Sequence, residues 1–185
     1  MTKKNEKVTN IEEKRQETQE KSQKKNKILI NKIKILNDGT AEISYKNSDD
    51  MGTGTVDYSG AEKVTDTFAK KFQETVDGFI GCIPALEREK SKIKMNAIKF
   101  DYGKSDKLQS ALYSVKYAFN KATNAVINIS TPLLPIFQEH FDEKTFCING
   151  IYEQQLYELM ELAKAYLKGD TRTKQTSLNL EVETD

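Results

Sequence analysis

The strongest constraint on the fold is a pair of alternating apolar segments on either side of a turn sequence. In the first segment, isoleucines recur at nearly every second position, at Ile28, Ile30, Ile33 and Ile35. Asn37-Asp38-Gly39 follows, a combination that tolerates positive φ and joins paired strands. In the second segment, apolar residues alternate with polar ones at Ala41, Ile43 and Tyr45. Because alternate side chains of a strand share one face, these residues predict a β-hairpin with one buried face.

Two other segments have the spacing of amphipathic helices. In the first, large apolar residues recur every three or four positions, at Val64, Phe68, Phe72, Val76, Phe79 and Ile80. Ser59-Gly60-Ala61-Glu62 matches a capping box, so we expect this helix to begin there. The second helix is predicted from near Asn149 to Lys168, with Gly169 as its C-terminal cap. Its expected buried face consists of Leu156, Leu159, Met160, Ala163, Tyr166 and Leu167.

Three more strands are predicted between the helices, over residues 93–100, 108–119 and 124–130. A turn at residues 120–123 would join the last two. The order ββ-α-βββ-α predicts an α+β fold with a mostly antiparallel sheet. We expect a single domain over residues 27–169, with disordered tails at residues 1–26 and 170–185, because both tails are poor in core residues.

The N-terminal segment is a basic arm on a mildly acidic body. Residues 1–34 hold eleven lysines and arginines against five glutamates, whereas the whole chain has a net charge of +1. Lys24, Lys25 and Lys27 are therefore candidate contacts to nucleic-acid phosphates. A solubilising leader or a frayed helix is the alternative interpretation of the same residues.

Few residues suit catalysis or metal binding. The chain has one histidine, no tryptophan, and two cysteines far apart at Cys82 and Cys147. We expect no enzymatic activity, no cofactor and no metal site, and we expect the dipole of a helix C-terminus to raise the pKa of Cys82. The Gly-rich segment 51–55 lacks the remaining residues of a phosphate-binding loop, so it predicts a mobile loop. Without a long apolar run or a secretory leader, the expected location is the cytoplasm of a bacterial host cell, away from membranes.

Aromatic residues at strand spacing leave two interpretations open. Tyr113 and Tyr117, with Phe119, would stack on the bases of single-stranded DNA if their strand face is exposed. They would be core residues if that face meets the helices. The opposite face of this strand is polar, with Lys107, Gln109, Ser114 and Lys116, and no strong basic cluster is expected there.

The C-terminal tail contains the segment QTSLNL. Gln175, Leu178 and Leu180 have the spacing of the six-residue form of bacterial sliding-clamp-binding peptides, which this segment resembles. Thr176 departs from the leucine often found at the second position. The resemblance implies docking to a host sliding clamp through an extended peptide. The alternation in SLNLEV instead favours an added edge strand.

The layout also looks like that of small proteins of unknown function from the early regions of phages and prophages. The segments that carry this resemblance are IKILNDGTAEISYKN, IKFDYG, NAVINIST and LAKAYLKGDTRTKQ. It implies a non-enzymatic accessory protein of DNA replication or recombination that binds a protein partner or single-stranded DNA. The alternative is an inhibitor or ligand sponge acting against a bacterial defence system or host enzyme. A pocket formed by the Gly-rich loop, or by His140 and the proline-containing loop, would favour this alternative.

Overall fold

The computed structural model describes residues 27–49, 52–104, 106–120, 125–136, 147–148 and 150–170. The strands within these ranges are β1 Lys27–Ile35, β2 Thr40–Asp49, β3 Gly52–Lys63, β4 Ile93–Asp101, β5 Ser110–Asn120, β6 Ala125–Ser130 and β7 Leu134–Pro135. The α-helices are α1 Asp66–Glu74, α2 Val76–Cys82 and α3 Gly150–Lys168, and a 3-10 helix spans Pro84–Lys92.

The strands form one antiparallel sheet in the order β3-β2-β1-β4-β5-β6, and β7 pairs with β5 beyond the end of β6. The predicted α+β class and the mostly antiparallel sheet are therefore confirmed. The predicted strands also lie close to β4, β5 and β6. None of the described helices is both long and apolar enough to cross a membrane.

The predicted β1–β2 hairpin is present, and a bulge explains its imperfect alternation. Gly39 has a φ of 86° in the turn, and the Asp38 carboxylate accepts a hydrogen bond from the Thr40 amide at 2.9 Å. The register of β1 shifts between Ile30 and Lys32. One extra residue changes the phase of a strand, so isoleucines on both sides of the bulge reach the same buried face.

The core lies between the helices and one face of the sheet, called the inner face from here on. Ile33 is opposite Ile98, which is opposite Tyr113, and all three side chains have no exposed surface. The helices contribute the other side of this core, with fully buried residues at Phe68, Phe79, Leu156, Leu159, Ala163 and Tyr166. The helical spacing therefore identified the buried residues of both stripes except Leu167, which is half-buried, but the first stripe belongs to two helices, α1 and α2, and Val64 precedes both.

The start of the first helix differs from the prediction. Residues 59–62 do not open a helix, because β3 continues through Lys63 and pairs with β2. The helix begins at Asp66, and the hydroxyl of Thr65 caps it by accepting a hydrogen bond from the Phe68 amide at 3.4 Å. The mobile loop expected at residues 51–55 is also wrong for Gly52 to Thr55, which are part of β3. Pairing with a neighbouring strand outweighs local turn chemistry here.

The predicted C-terminal end of the last helix, α3, is confirmed. Gly169 has a φ of 93°, a conformation that favours glycine, and its amide donates to the Tyr166 carbonyl at 3.0 Å. The Asp170 amide donates to the Ala165 carbonyl at 2.9 Å. Three predicted segments lie outside the described residues, namely the basic arm 1–26, the turn residues 121–123 and the tail after Asp170. His140 lies outside them as well.

Candidate nucleic-acid interface

The second face of the sheet, called the outer face, carries the side chains that alternate with the core residues. Lys32 and Lys99 lie directly opposite each other on β1 and β4, next to the core pair Ile33 and Ile98. The side chain of Lys99 is exposed, whereas Ile33 and Ile98 are fully buried. The helical core therefore uses the inner face, and the outer face presents lysine.

A second like-charge pair lies farther along the same face. Lys94 of β4 is directly opposite Lys116 of β5. Like charges at directly opposed positions of an antiparallel pair destabilise the sheet. None of these four lysines forms an ion pair with any other described residue. Their repulsion is therefore not relieved by the described residues, and a bound anion would relieve it.

The second lysine pair continues into a polar row across three strands. Asn128 of β6 is opposite Lys116, so cation, cation and amide follow one another across β4, β5 and β6. In the neighbouring row, the Ser130 hydroxyl donates to that of Ser114 at 3.1 Å. These groups offer cationic and neutral hydrogen-bond donors to a phosphate.

This row forms part of a shallow concavity of about 630 Å³. The residues that line it are Asn37, Ser91, Lys92, Lys94, Lys116, Ala118, Val126 and Asn128. Two other concavities of the described structure include carboxylates, with Glu74 and Asp77 in one, and Asp77 and Glu87 in the other. The outer-face concavity is lined by lysines without a carboxylate, which makes it the best candidate for an anionic ligand.

Lys92, at the rim of the concavity, forms an ion pair with Glu89. Its Nζ lies 2.5 Å from the Glu89 carboxylate, and this contact raises the pKa of Lys92 and lowers that of Glu89. The Tyr117 hydroxyl donates to the same carboxylate at 3.3 Å. Glu89 therefore orients Lys92 while neutralising much of its charge, so Lys94 and Lys116 are the stronger anion contacts.

Two acidic residues of the outer face lie toward the other side of the sheet, and a third, the exposed Asp101, lies two residues beyond Lys99 on β4. Glu42 of β2 accepts from Lys34 at 2.8 Å, and Asp57 of β3 accepts from the Ser44 hydroxyl. The two like-charge lysine pairs instead span β1, β4 and β5. The half of the outer face formed by β1, β4 and β5, called the basic half, is therefore richer in lysine than in acidic residues, and the other half is mixed.

The structure places the three predicted aromatic residues in different environments. Tyr113 is fully buried on the inner face, so it presents no ring to a nucleic acid, and the core alternative applies to it. Tyr117 is half-buried on the same face and is bonded to Glu89. Phe119, by contrast, is 69% exposed.

Most of the remaining predicted site residues lie outside the described residues. Lys27 is the first residue of β1 and pairs with Ser48. Lys24 and Lys25 lie outside the described residues, and so do the tail positions Gln175, Leu178 and Leu180. Their roles stay predictions.

The expectation of no strong basic cluster opposite the aromatic face concerned one strand, and the four opposed lysines of the outer face form a cluster that this strand alone does not hold. Only Lys116 of that cluster lies on the strand that the sequence analysis considered, and its partners come from β1 and β4. A bulge between Met95 and Ala97 also places Lys94 and Lys99 on one face, although they are an odd number of positions apart. The lysines themselves are visible in the sequence, but the register that brings them together is not.

The pKa of Cys82 is raised, as predicted, but the cause is burial and not the helix dipole. Burial raises the pKa of Cys82 to about 11, and its thiol donates to the Gly78 carbonyl at 3.2 Å. The described residues hold no cluster of three or more histidine, cysteine, aspartate or glutamate residues that would suit a metal ion.

Comparison with protein-family models, with curated proteins and with solved structures gave no match.

Proposed function

We propose that this protein binds single-stranded DNA across the basic half of its outer face. The observation that carries the proposal is the pair of opposed lysines Lys94 and Lys116, next to Asn128 and without a carboxylate in their concavity. The context proposed for this activity is that of a non-enzymatic accessory protein of phage or prophage DNA replication or recombination. That context is supported by the sequence resemblance alone.

The physical basis of the affinity is neutralisation of phosphates. Lys32, Lys94, Lys99 and Lys116 lie on one face, and the rise of a strand separates the two pairs by roughly 15 Å along β4. Such a span suits several phosphates of one strand better than a single phosphate. Release of counterions from four phosphates gives a slope of about −3 for log affinity against log salt on single strands.

The proposal is tested with the double variant Lys94→Gln/Lys116→Gln and oligo(dT), by fluorescence anisotropy over a range of salt concentrations. We expect an affinity about tenfold lower at low salt and a salt slope reduced by about 1.4, because two phosphate contacts are lost. The free energy of unfolding should stay the same or rise by about 0.2–1 kcal/mol, because a repulsive cross-strand pair is removed.

A matched control removes two exposed lysines that line none of the three concavities, in the variant Lys104→Gln/Lys168→Gln. This variant has the same net charge as the test variant, but it leaves the outer face intact. Equal loss of DNA affinity in both variants would contradict a specific interface, as would parental affinity in the test variant.

A second candidate function is supported by the shape of the same region. A concavity of about 630 Å³ with three lysines and two asparagines suits a small anionic ligand such as a nucleotide. The protein would then be the ligand sponge or inhibitor of a bacterial defence system or host enzyme. Binding of a mononucleotide as tightly as oligo(dT), with the same loss in the Lys94→Gln/Lys116→Gln variant, would favour this function over strand binding.

The proposal also includes tethering of the protein to a host sliding clamp through Gln175, Leu178 and Leu180. Its support is the spacing of these residues and the position of the segment after the end of the described fold at Asp170. A short peptide linked to a DNA-binding body raises the effective concentration of that body at the clamp, even when the peptide binds weakly.

A further inference from the structure

Phe119 is the most exposed aromatic residue of the described structure, at 69%. It lies near the end of β5, next to two other exposed apolar residues, Val126 at 52% and Ile127 at 48%. Val126 lies on the outer face, opposite Ala118, and Ile127 on the inner face, opposite Tyr117, and with Phe119 they form the apolar end of the β5–β6 hairpin. A large exposed aromatic side chain beside other exposed apolar residues is typical of an interaction site.

Phe119 lies at a bulge of β5. The register of β5 against β6 shifts between Ala118 and Asn120, so Phe119 has no directly opposed partner. In an uninterrupted strand Phe119 would share the face of Tyr113 and Tyr117, which are fully buried and half-buried. Ile127, opposite Tyr117, is exposed as well, so this end of the hairpin lies beyond the part of the sheet that the helices bury, and bulges occur often near functional sites.

The apolar end adjoins the lysine concavity. Phe119 follows Ala118, which lines that concavity together with Lys116 and Val126. Three residues of strand separate Phe119 from Lys116, a distance of roughly 10 Å. Cationic side chains that hold phosphates, beside an aromatic ring that meets bases, are the combination used by proteins that bind single strands.

We propose that Phe119 stacks on a base of the single strand whose phosphates are held at Lys94 and Lys116. This inference rests on the proposed function and names the base contact that the lysines alone do not supply. Unpaired strands expose the faces of their bases, whereas a duplex buries them in its stack. Stacking at Phe119 therefore makes the protein prefer single strands to duplex.

Charge favours a nucleic acid over a second copy of this chain at the same end. Edge pairing of two β6 strands would extend the sheet across a two-fold axis and place both outer faces on one side. The lysine pairs Lys94 and Lys116 of the two copies would then lie on one continuous face, with roughly 14 Å between the two β5 strands and no carboxylate in either concavity. An anionic strand is attracted to the same arrangement.

The test uses the absence of tryptophan from the chain. Phe119→Trp introduces a single fluorescent reporter at the proposed stacking site, and binding of oligo(dT) should quench it. The matched control is Ile151→Trp, at a residue of α3 that is 73% exposed and lies on a helix of the inner side. Quenching at residue 119, without quenching at residue 151, supports the inference.

A second variant measures the contribution to affinity. Alanine substitution at a stacking residue costs about 1–3 kcal/mol per base, so Phe119→Ala should weaken oligo(dT) binding about 5- to 150-fold. The salt slope should stay at the parental value, because no phosphate contact is lost. Binding of an abasic oligonucleotide should not change between the parent and Phe119→Ala.

The outcomes separate the inference from the function it rests on. Parental oligo(dT) affinity in Phe119→Ala, with an unquenched tryptophan in Phe119→Trp, overturns the stacking while DNA binding at the lysines stands. A tryptophan signal that changes with protein concentration in the absence of DNA also overturns it, since the ring would then lie between two copies. Failure of the parent protein to bind oligo(dT) overturns both.

Discussion

At the scale of single residues, the buried hydroxyl of Tyr113 lowers the stability of the fold. Its hydroxyl is buried and has no hydrogen-bond partner among the described residues. Burial raises the pKa of this hydroxyl, and its neighbour Gly78 lies so close that an added Cβ would be 2.7 Å from the oxygen. An unpaired buried hydroxyl destabilises the fold because it has lost its bond to water.

We expect Tyr113→Phe to raise the free energy of unfolding by about 1 kcal/mol, because it removes this unpaired group and keeps the ring. Urea denaturation measures the change. The contrasting variant is Tyr166→Phe, which removes a hydroxyl that donates to the Glu62 carbonyl at 2.5 Å and should lower stability by about 1 kcal/mol. Equal losses in both variants would show that Tyr113 has a partner.

At the scale of elements, the contact between β3 and α3 fixes the helix on the sheet. The rings of Tyr58 and Tyr166 meet edge to face at 6.1 Å, and a Cβ at Gly60 would lie 2.7 Å from Cζ of Tyr166. Gly60 is needed here for close approach of the helix.

Gly60→Ala should lower the free energy of unfolding by about 1–3 kcal/mol, because the new methyl group displaces the Tyr166 ring. Thermal or urea denaturation checks this. Gly54→Ala on the same strand is the control, since nothing lies within 4 Å of its added Cβ. A loss of the same size at both positions would assign the effect to strand propensity and not to the helix contact.

At the scale of the whole molecule, charged residues are distributed unevenly over the outer face of the sheet. The net charge of +1 gives no sign of a basic surface. The sheet nevertheless places opposed lysines on β1, β4 and β5, while Glu42 and Asp57 lie on β2 and β3. Net charge therefore does not describe how charge is distributed over the outer face of the sheet.

The body and the tail are expected to act separately. A chain ending at Asp170 keeps all the described strands and helices, so we expect it to retain its stability and its oligo(dT) affinity. It should lose retention on an immobilised bacterial sliding clamp, because Gln175, Leu178 and Leu180 are absent. The full-length variant Leu178→Ala/Leu180→Ala should lose the same retention, and retention of either protein would refute docking through the tail.

The sequence by itself determined the β1–β2 hairpin, both apolar helical stripes and the α+β class. Each depends on periodicity within a short segment, which hydrophobic burial enforces locally. The C-terminal cap at Gly169 was also predictable, because few residues other than glycine adopt its φ readily.

Only the tertiary structure decided the candidate site. Lys94 and Lys116 are far apart in sequence and meet through the register of β4 and β5, and bulges in β4 and β5 set the positions of Lys99 and Phe119. A shift of one residue in register moves every side chain of a strand to the other face. Strand pairing thus depends on the whole sheet, and the surface that it builds could not be derived from any single segment.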